Sequence, residues 1–184
     1  GLLAAISADA IEKLLPVLDA AAPAAREQSA YCLAALTVRP TEKQAALKAG
    51  VVPKLVALLR DPNAPVRTAA AGGLMSMAAD VESKKAAVDA AAVAALAPLL
   101  DESLALELRG AMDETTSKMT VNVAKCMALL SEDPRARKQL QPCLSQLRPL
   151  AESAQPLVQK HASAAVAAVA WKPTLEGAKT SRSA

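Results

Sequence analysis

The chain has 184 residues and is 53% hydrophobic, yet it contains one Trp, one Tyr and no Phe, so its core must be aliphatic. With 45 Ala, 12 Pro and 6 Gly, the composition favours many short helices and argues against a β-rich fold, which needs aromatic and β-branched residues. The net charge of +3, with both signs mixed along the chain, is too balanced to indicate nucleic acid as a partner.

One apolar pattern recurs four times along the chain. Its anchor leucines are Leu14, Leu55, Leu96 and Leu147, so two spacings are equal and the third is about ten residues longer. A period of about 40 residues is typical of a solenoid, in which stacked units share one core.

The register divides the chain into units. We predict a truncated first repeat at 1–40, a second at 41–81, a third at 82–131 with an insertion at about 103–116, a fourth and capping repeat at 132–171, and a flexible tail at 172–184. Because Ile6 aligns with Leu47, Gly1 is expected inside a helix, and the chain is expected to be the C-terminal part of a longer array.

The second unit predicts three helices. These are Glu42–Lys48, Val52–Arg60 and Pro65–Ala78, with Gly50 between the first two and the turn 61–65 before the third. Capping chemistry suggests further helix starts, in pairs of residues with capping-box spacing or in a cap before a proline. The candidates are Thr41 with Gln44, Asp9 with Glu12, and Asp133 before Pro134.

The segment Gly50–Leu59, Gly-Val-Val-Pro-Lys-Leu-Val-Ala-Leu-Leu, opens the second helix and resembles the armadillo repeat. HEAT repeats are the nearest alternative, but they usually have two helices and lack this junction. The resemblance implies an all-α fold: an armadillo-type α-solenoid of about four three-helix repeats.

A longer succession of segments is similar to the C-terminal half of an armadillo protein of the radial spokes of motile cilia and flagella. These segments are 52–59, 61–62, 66–77, 131–140 and 170–173. The resemblance implies a structural subunit located in the cytoplasm at the axoneme of the cilium or flagellum. Its partners would be other radial spoke subunits in a large complex.

Catalytic chemistry has few candidate residues. His161 is the only histidine, and no nucleophile motif accompanies it. Cys32, Cys126 and Cys143 are odd in number, far apart and within apolar patterns, so we expect no disulfide, no metal site and a reducing compartment. Gly72-Gly73 lacks the Lys and Ser/Thr of a phosphate loop. We expect a protein that is not an enzyme and has no cofactor and no small-molecule substrate.

Membrane insertion is not expected either. No apolar run reaches the roughly 18–20 residues that span a bilayer, and the chain begins without a basic segment typical of a signal peptide.

The armadillo resemblance also locates a binding face. Armadillo proteins that bind extended peptides often carry Trp and Asn ladders on the third helix. The Trp positions correspond here to Tyr31, Gly72, Lys125 and Ala164, and the Asn positions to Ala35, Ser76, Leu129 and Ala168. Because neither ladder is present, peptide binding of the nuclear-import or β-catenin type is not implied.

Small residues at these positions would allow a partner helix or subunit to approach closely. The candidate partner-binding residues on this face are Tyr31, Ala35, Gly72 and Ser76, with the basic rim residues Arg26, Arg67, Lys125 and Lys160. The alternative for the basic residues is a solvated face. For Gly72 the alternative is close packing between helices.

The insertion offers a second candidate surface. Leu104, Leu106 and Leu108 alternate with Ala105 and Glu107, a pattern that could suit a loop clasping a neighbour. Alternatively, the second helix runs longer and buries these leucines.

The leading hypothesis is a non-enzymatic structural scaffold that holds neighbouring spoke proteins. A peptide-binding armadillo adapter in transport or signalling is the first alternative. An enzyme built on helical repeats, such as the HEAT-like bilin lyases, is a further alternative for which the chain offers no residue set.

Overall fold

The computed structural model describes the backbone of residues 2–171 and the side chains of residue 7 and residues 9–171. The predicted tail, 172–184, lies outside the described residues. The described chain forms eleven α-helices and two 3₁₀ turns, at Pro16–Asp19 and Gln141–Cys143. The α-helices are α1 (Leu2–Leu14), α2 (Pro23–Leu36), α3 (Pro40–Lys48), α4 (Val51–Leu58), α5 (Ala64–Met77), α6 (Val81–Asp89), α7 (Ala92–Leu108), α8 (Glu114–Leu130), α9 (Pro134–Leu140), α10 (Leu144–Leu150) and α11 (Pro156–Ala170).

The helices stack as an all-α solenoid, as the sequence predicts, and residues 2–171 contain no strand. The long third helices α2, α5, α8 and α11 pack side by side, each against the next. Helices α3, α4 and α5 reproduce the three predicted helices of the second unit to within two residues at each end.

The core is one continuous aliphatic cluster that extends from Ile11 to Val169. The anchor leucines Leu55, Leu96 and Leu147 are fully buried, whereas Leu14 is half-buried at the start of the array. Because each repeat buries its apolar face only against its neighbours, the units share this core rather than forming separate ones.

A left-handed residue separates the first and second helices in the two middle units. Gly50 has φ of +81° before α4, and Ala91, at the equivalent position before α7, has φ of +59°. The outer units lack this turn. Asp9 lies inside the continuous helix α1, and Pro142, whose ring restricts φ to about −65°, lies in a 3₁₀ turn.

Helix caps follow the sequence only in part. Asp133 caps α9 as predicted, because its carboxylate accepts hydrogen bonds from the backbone N–H groups of Arg135 and Ala136. The two predicted capping boxes are wrong. Thr41 lies within α3, where its hydroxyl donates to Glu42, and Asp9 lies within α1, where it pairs with Lys13 at 2.7 Å.

The predicted insertion is mostly helix, which contradicts a clasping loop. Helix α7 runs to Leu108, so a five-residue connection, 109–113, leads into α8. Buried Ser103 accepts a hydrogen bond from Thr120 of α8 at 2.8 Å, and Leu104 packs partly buried against the core. Leu108 remains 76% exposed. Leu104 and Leu108, four residues apart, therefore lie on one face of α7, and Leu106 lies on the other.

The adjacent glycines of α5 both allow close helix packing. A Cβ on Gly73 would lie 3.0 Å from a methyl group of buried Leu55, and a Cβ on Gly72 would lie 3.1 Å from the amide nitrogen of Asn122. The space beside Gly72 is thus occupied by α8, which supports the packing alternative over room left for a partner.

No helix within residues 2–171 is both long enough and apolar enough to cross a lipid bilayer.

Candidate functional site

The third helices form the wall of a concave groove. Residues of the first units and of α11, at opposite ends of the array, line the same depressions together with α5 and α8, which requires the face to curve inward. The first units contribute Tyr31 of α2 to one depression, and Val38 after α2 and Lys43 of α3 to the other. Two depressions lie along this face. We call them the first hollow, which lies nearer the N-terminal ends of the third helices, and the second hollow, which lies about two helical turns nearer their C-terminal ends.

The first hollow has a volume of about 650 Å³. Its wall combines apolar and polar side chains, among them Tyr31, Thr68, Lys118, Val121, Asn122 and Leu157. Lys118 pairs with Glu114 at 2.6 Å, so the charged groups in this wall balance each other. Burial and the neighbouring Glu27 raise the pKa of Tyr31, while Lys118 acts in the opposite direction from across the groove.

The second hollow has a volume of about 450 Å³ and, unlike the first hollow, basic side chains without an acidic one among its described residues. Apolar groups make up much of its wall, including Val38, Met75, Ala79, Ala128, Leu129 and Ala164. Its ionisable lining residues are Lys43, Lys125 and His161, and none of the described residues that line it is acidic. The second hollow therefore favours an occupant with apolar groups and negative charge.

Lys125 and Lys160 shape the electrostatics of the second hollow. Neither ammonium group has an ion-pair partner within the described side chains. Desolvation lowers the pKa of His161, and the positive charges of Lys125 and Lys160 lower it further. This surplus of positive charge is available to an anionic group of a partner.

Several residues aligned with the armadillo ladders lie in the groove. Tyr31 lines the first hollow, whereas Ser76, Lys125, Leu129 and Ala164 line the second. Ala35 is exposed and Ala168 half-buried, and neither lines a hollow. The alignment thus identifies the groove face, and the partner-binding role of these residues stays a prediction.

The arginines expected on the rim are engaged within the chain. Arg26 donates to Asp61 at 2.7 Å, and Arg67 donates to both carboxylate oxygens of Glu102 at 2.6 and 2.8 Å. Each guanidinium also donates to backbone carbonyls, and each side chain is only 14% exposed. The structure gives both arginines a role between repeats, which leaves the lysines as the free basic groups of the predicted set.

Asn122 is one of several groove residues that sequence reasoning missed, with Lys43, Met75 and Leu157 among the others. The amide of Asn122 donates to the carbonyl of Thr68 at 3.2 Å and occupies the space beside Gly72, so it ties α8 to α5 in the wall of the first hollow. Asn122 is three residues before the aligned ladder position Lys125, and only the packing of α8 on α5 reveals its contact.

The hydroxyl of Ser76 is held by the neighbouring helix. It donates toward the carbonyls of Ala34 and Thr37 at 3.3 Å and accepts from the Thr37 hydroxyl at 3.2 Å. Ser76 and His161 line the same hollow, but the hydrogen bonds of the Ser76 hydroxyl go to residues at the C-terminal end of α2.

The cysteines and acidic residues suggest no other reactive centre. Cys32 is exposed and Cys126 and Cys143 are buried, all three as free thiols. Complete burial raises the pKa of Cys126 to about 12, so its thiol stays protonated at neutral pH. Within the described residues, no three His, Cys, Asp or Glu side chains are close enough to hold a metal ion.

The stacked three-helix units define an armadillo-type α-solenoid, a class of fold suited to binding proteins and peptides and typically non-enzymatic. Residues 40–79 match the family model of the armadillo/beta-catenin-like repeat. A comparison with curated protein sequences finds no significant match.

Solved structures of engineered proteins have the same fold. One, a crystal structure of an engineered protein, is 29% identical with a TM-score of 0.76 over 89% of this chain and 63% of its own. A designed armadillo repeat protein in complex with the peptide (KR)4 is 22% identical with a TM-score of 0.73, over 86% of this chain and 64% of its own. The chain thus spans less than two-thirds of the length of these structures.

Proposed function

We propose that this chain is a non-enzymatic scaffold that binds a protein partner in its concave groove. The observation that carries the proposal is the pair of hollows along α2, α5, α8 and α11, whose walls are largely apolar and whose second hollow has positive charge without an acidic lining residue. Apolar surface that a partner covers supplies binding free energy, and unpaired charge at the edge supplies orientation.

The alternative function, a reversible peptide-binding adapter, can be compared with one solved structure that contains a peptide. The designed armadillo protein that binds (KR)4 takes a strongly basic peptide. In this chain Lys43 and Lys125 line the second hollow, so a basic peptide would meet like charge there. This argues for an acidic or neutral partner and against a basic one.

We further propose that the scaffold is a structural subunit of the axonemal radial spoke. Support comes from the resemblance of segments 52–59, 66–77 and 131–140 to radial spoke head protein fourteen of motile cilia and flagella. Its role would be to hold neighbouring spoke proteins in fixed register. A tagged full-length protein should then localise along the axoneme of a ciliated cell and co-purify with spoke subunits, whereas a diffuse cytoplasmic or nuclear distribution would contradict this assignment.

Groove binding is tested by filling the second hollow. Ala164 is exposed and lines this hollow, whereas Ser163 is exposed beside it and does not. We expect Ala164→Trp to reduce recovery of the co-purifying partners at least about tenfold, which corresponds to roughly 1.4 kcal/mol. Ser163→Trp should leave recovery unchanged, and both variants should keep the helical circular dichroism of the parent. Normal recovery with Ala164→Trp would reject groove binding.

A further inference from the structure

Three of the third helices, α5, α8 and α11, present the same two-turn spacing to the groove. The first hollow is lined by Tyr31, Thr68, Val121 and Leu157. The second is lined by the residues seven positions later, which are Met75, Ala128 and Ala164 on α5, α8 and α11, and Val38 two residues after the end of α2. Seven residues of α-helix rise about 10.5 Å, so the two hollows lie about two helical turns apart along these helices.

This spacing discriminates between kinds of occupant. A helix lying parallel to α8 has the same rise per residue, so its side chains at positions i and i+7 can enter one hollow each. An extended chain places side chains on one face every second residue, about 6.7 Å apart, and so offers pairs near 7 or 13 Å rather than 10.5 Å. An extended peptide that crosses the third helices would occupy one hollow only.

Charge specifies the occupant further. The second hollow carries Lys43 and Lys125, with His161 beside them, and Lys160 lies near enough to His161 to interact with it. In the first hollow, Lys118 is already paired with Glu114. Lys43 also interacts with Asp80, so the positive charge without compensation among the described residues is that of Lys125 and Lys160, and it lies in one half of the groove.

We propose that the groove binds a single amphipathic α-helix of a protein partner, lying along α8. The helix has apolar anchors seven residues apart and a carboxylate next to the anchor that enters the second hollow. This inference rests on the proposed function and names the form and charge of the partner surface. Lys125 lies on α8 beside the second hollow and is the group placed to pair with that carboxylate.

Synthetic peptides test the spacing directly. The probe is a fluorescent, hydrocarbon-stapled helix of about 20 residues, long enough to hold helical structure. It carries two leucines seven positions apart and glutamates one turn from the second leucine. The matched peptide has the same composition with the leucines five positions apart, which places them on different faces. Against the full chain, we expect the first peptide to bind at least about tenfold more tightly by fluorescence anisotropy.

Variants of the chain test the charge. Lys125→Glu should weaken binding of the seven-spaced peptide at least about tenfold. Lys138→Glu is the matched control, because Lys138 is exposed on α9, lines neither hollow and makes no ion pair within the described residues. It should leave the affinity unchanged.

Three outcomes would overturn the inference. Equal affinity for the peptides with the two leucine spacings would contradict a helix with anchors seven residues apart. Equal affinity for an unstapled peptide broken by a central proline would indicate an extended occupant. Self-association of the chain in sedimentation velocity that Lys125→Glu abolishes would indicate a second copy. If Ala164→Trp blocks partner recovery but the peptides fail to discriminate, the proposed function stands and only the helical occupant is wrong.

Discussion

Ala91 holds a left-handed backbone conformation that glycine holds at the equivalent position of the preceding repeat. Its φ is +59°, and Gly50 has φ of +81°. For a residue with a Cβ this conformation costs about 1–2 kcal/mol, because the Cβ approaches the following carbonyl oxygen. Ala91 is exposed, so no buried contact accounts for the choice of alanine. The fold retains this strain because the turn between α6 and α7 is needed for stacking.

Relieving this strain should stabilise the protein. We expect Ala91→Gly to raise the free energy of unfolding by about 0.5–1 kcal/mol, after the greater unfolded-state entropy of glycine is subtracted. This corresponds to about 1–4 °C in Tm for a chain of this length.

The matched control is Ala94→Gly, which changes another exposed alanine, but within α7. It should lower stability by about 0.5–1 kcal/mol, because glycine is unfavourable in a helix. Thermal melts followed by circular dichroism compare the two variants. A shift of the same sign in both would contradict the strain at Ala91.

At the scale of elements, an ion pair joins each of the first two third helices to the unit that follows. Arg26 of α2 pairs with Asp61 after α4, and Arg67 of α5 pairs with Glu102 in α7, with the same separation of 35 residues. The series ends in the third unit. There the position of Arg26 and Arg67 is occupied by Thr120 of α8, whose hydroxyl donates to Ser103 of α7. These pairs fix one helix pair against the next rather than presenting charge to a partner.

Asp61 makes this contact dependent on pH. Its side chain is 6% exposed, and burial opposes its charged form, but hydrogen bonds from Arg26 and Asn63 outweigh burial and lower its pKa. A carboxyl group whose pKa is lower in the folded state contributes stability above its unfolded pKa of about 3.9. That contribution is lost as the pH falls through the lower, folded pKa.

We therefore expect Asp61→Asn to lower the free energy of unfolding by about 2 kcal/mol at pH 7, because a charge-assisted hydrogen bond is lost in a partly buried site. Urea titrations at pH 7 and at pH 3 measure the effect, and the difference from the parent should shrink at pH 3. Asp9→Asn is the control. Its partner Lys13 and Asp9 itself are both largely exposed, so the change should stay within about 0.5 kcal/mol. A constant difference at both pH values would contradict a role for the Asp61 charge.

At the scale of the molecule, a single core makes the repeats depend on one another. The buried cluster runs without interruption from Ile11 in α1 to Val169 in α11. Since the units are coupled through their interfaces, damage in the last unit should affect the whole array.

Leu147→Ala tests this coupling. Leu147 is fully buried in α10, so the substitution should cost about 2–5 kcal/mol and lower the midpoint of one cooperative transition. Leu157→Ala is the control, because Leu157 is 64% exposed at the edge of the first hollow and its loss should leave stability nearly unchanged. A biphasic transition, in which only the helices of the last unit melt early, would contradict the coupling.

Sequence reasoning predicted the local features of this protein well. The fold class, the repeat period and the helices of the second unit depend on apolar spacing, proline and glycine, which act within a few residues. The cap at Asp133 belongs to the same group, because its proline follows directly. The predictions of capping boxes at Thr41 and Asp9 were wrong, because α3 and α1 begin before these residues and the chain on both sides of them is helical.

Only the tertiary structure decided which residues lie in the groove and which are used inside the array. Arg26 and Arg67 find acids 35 residues away, and Asn122 fills the space beside Gly72 on another helix, so no local pattern contains these contacts. The sequence by itself determined an aliphatic, alanine-rich stack of helices. The curvature of that stack decided the rest, because side chains far apart in the chain line one hollow only after the helices have packed.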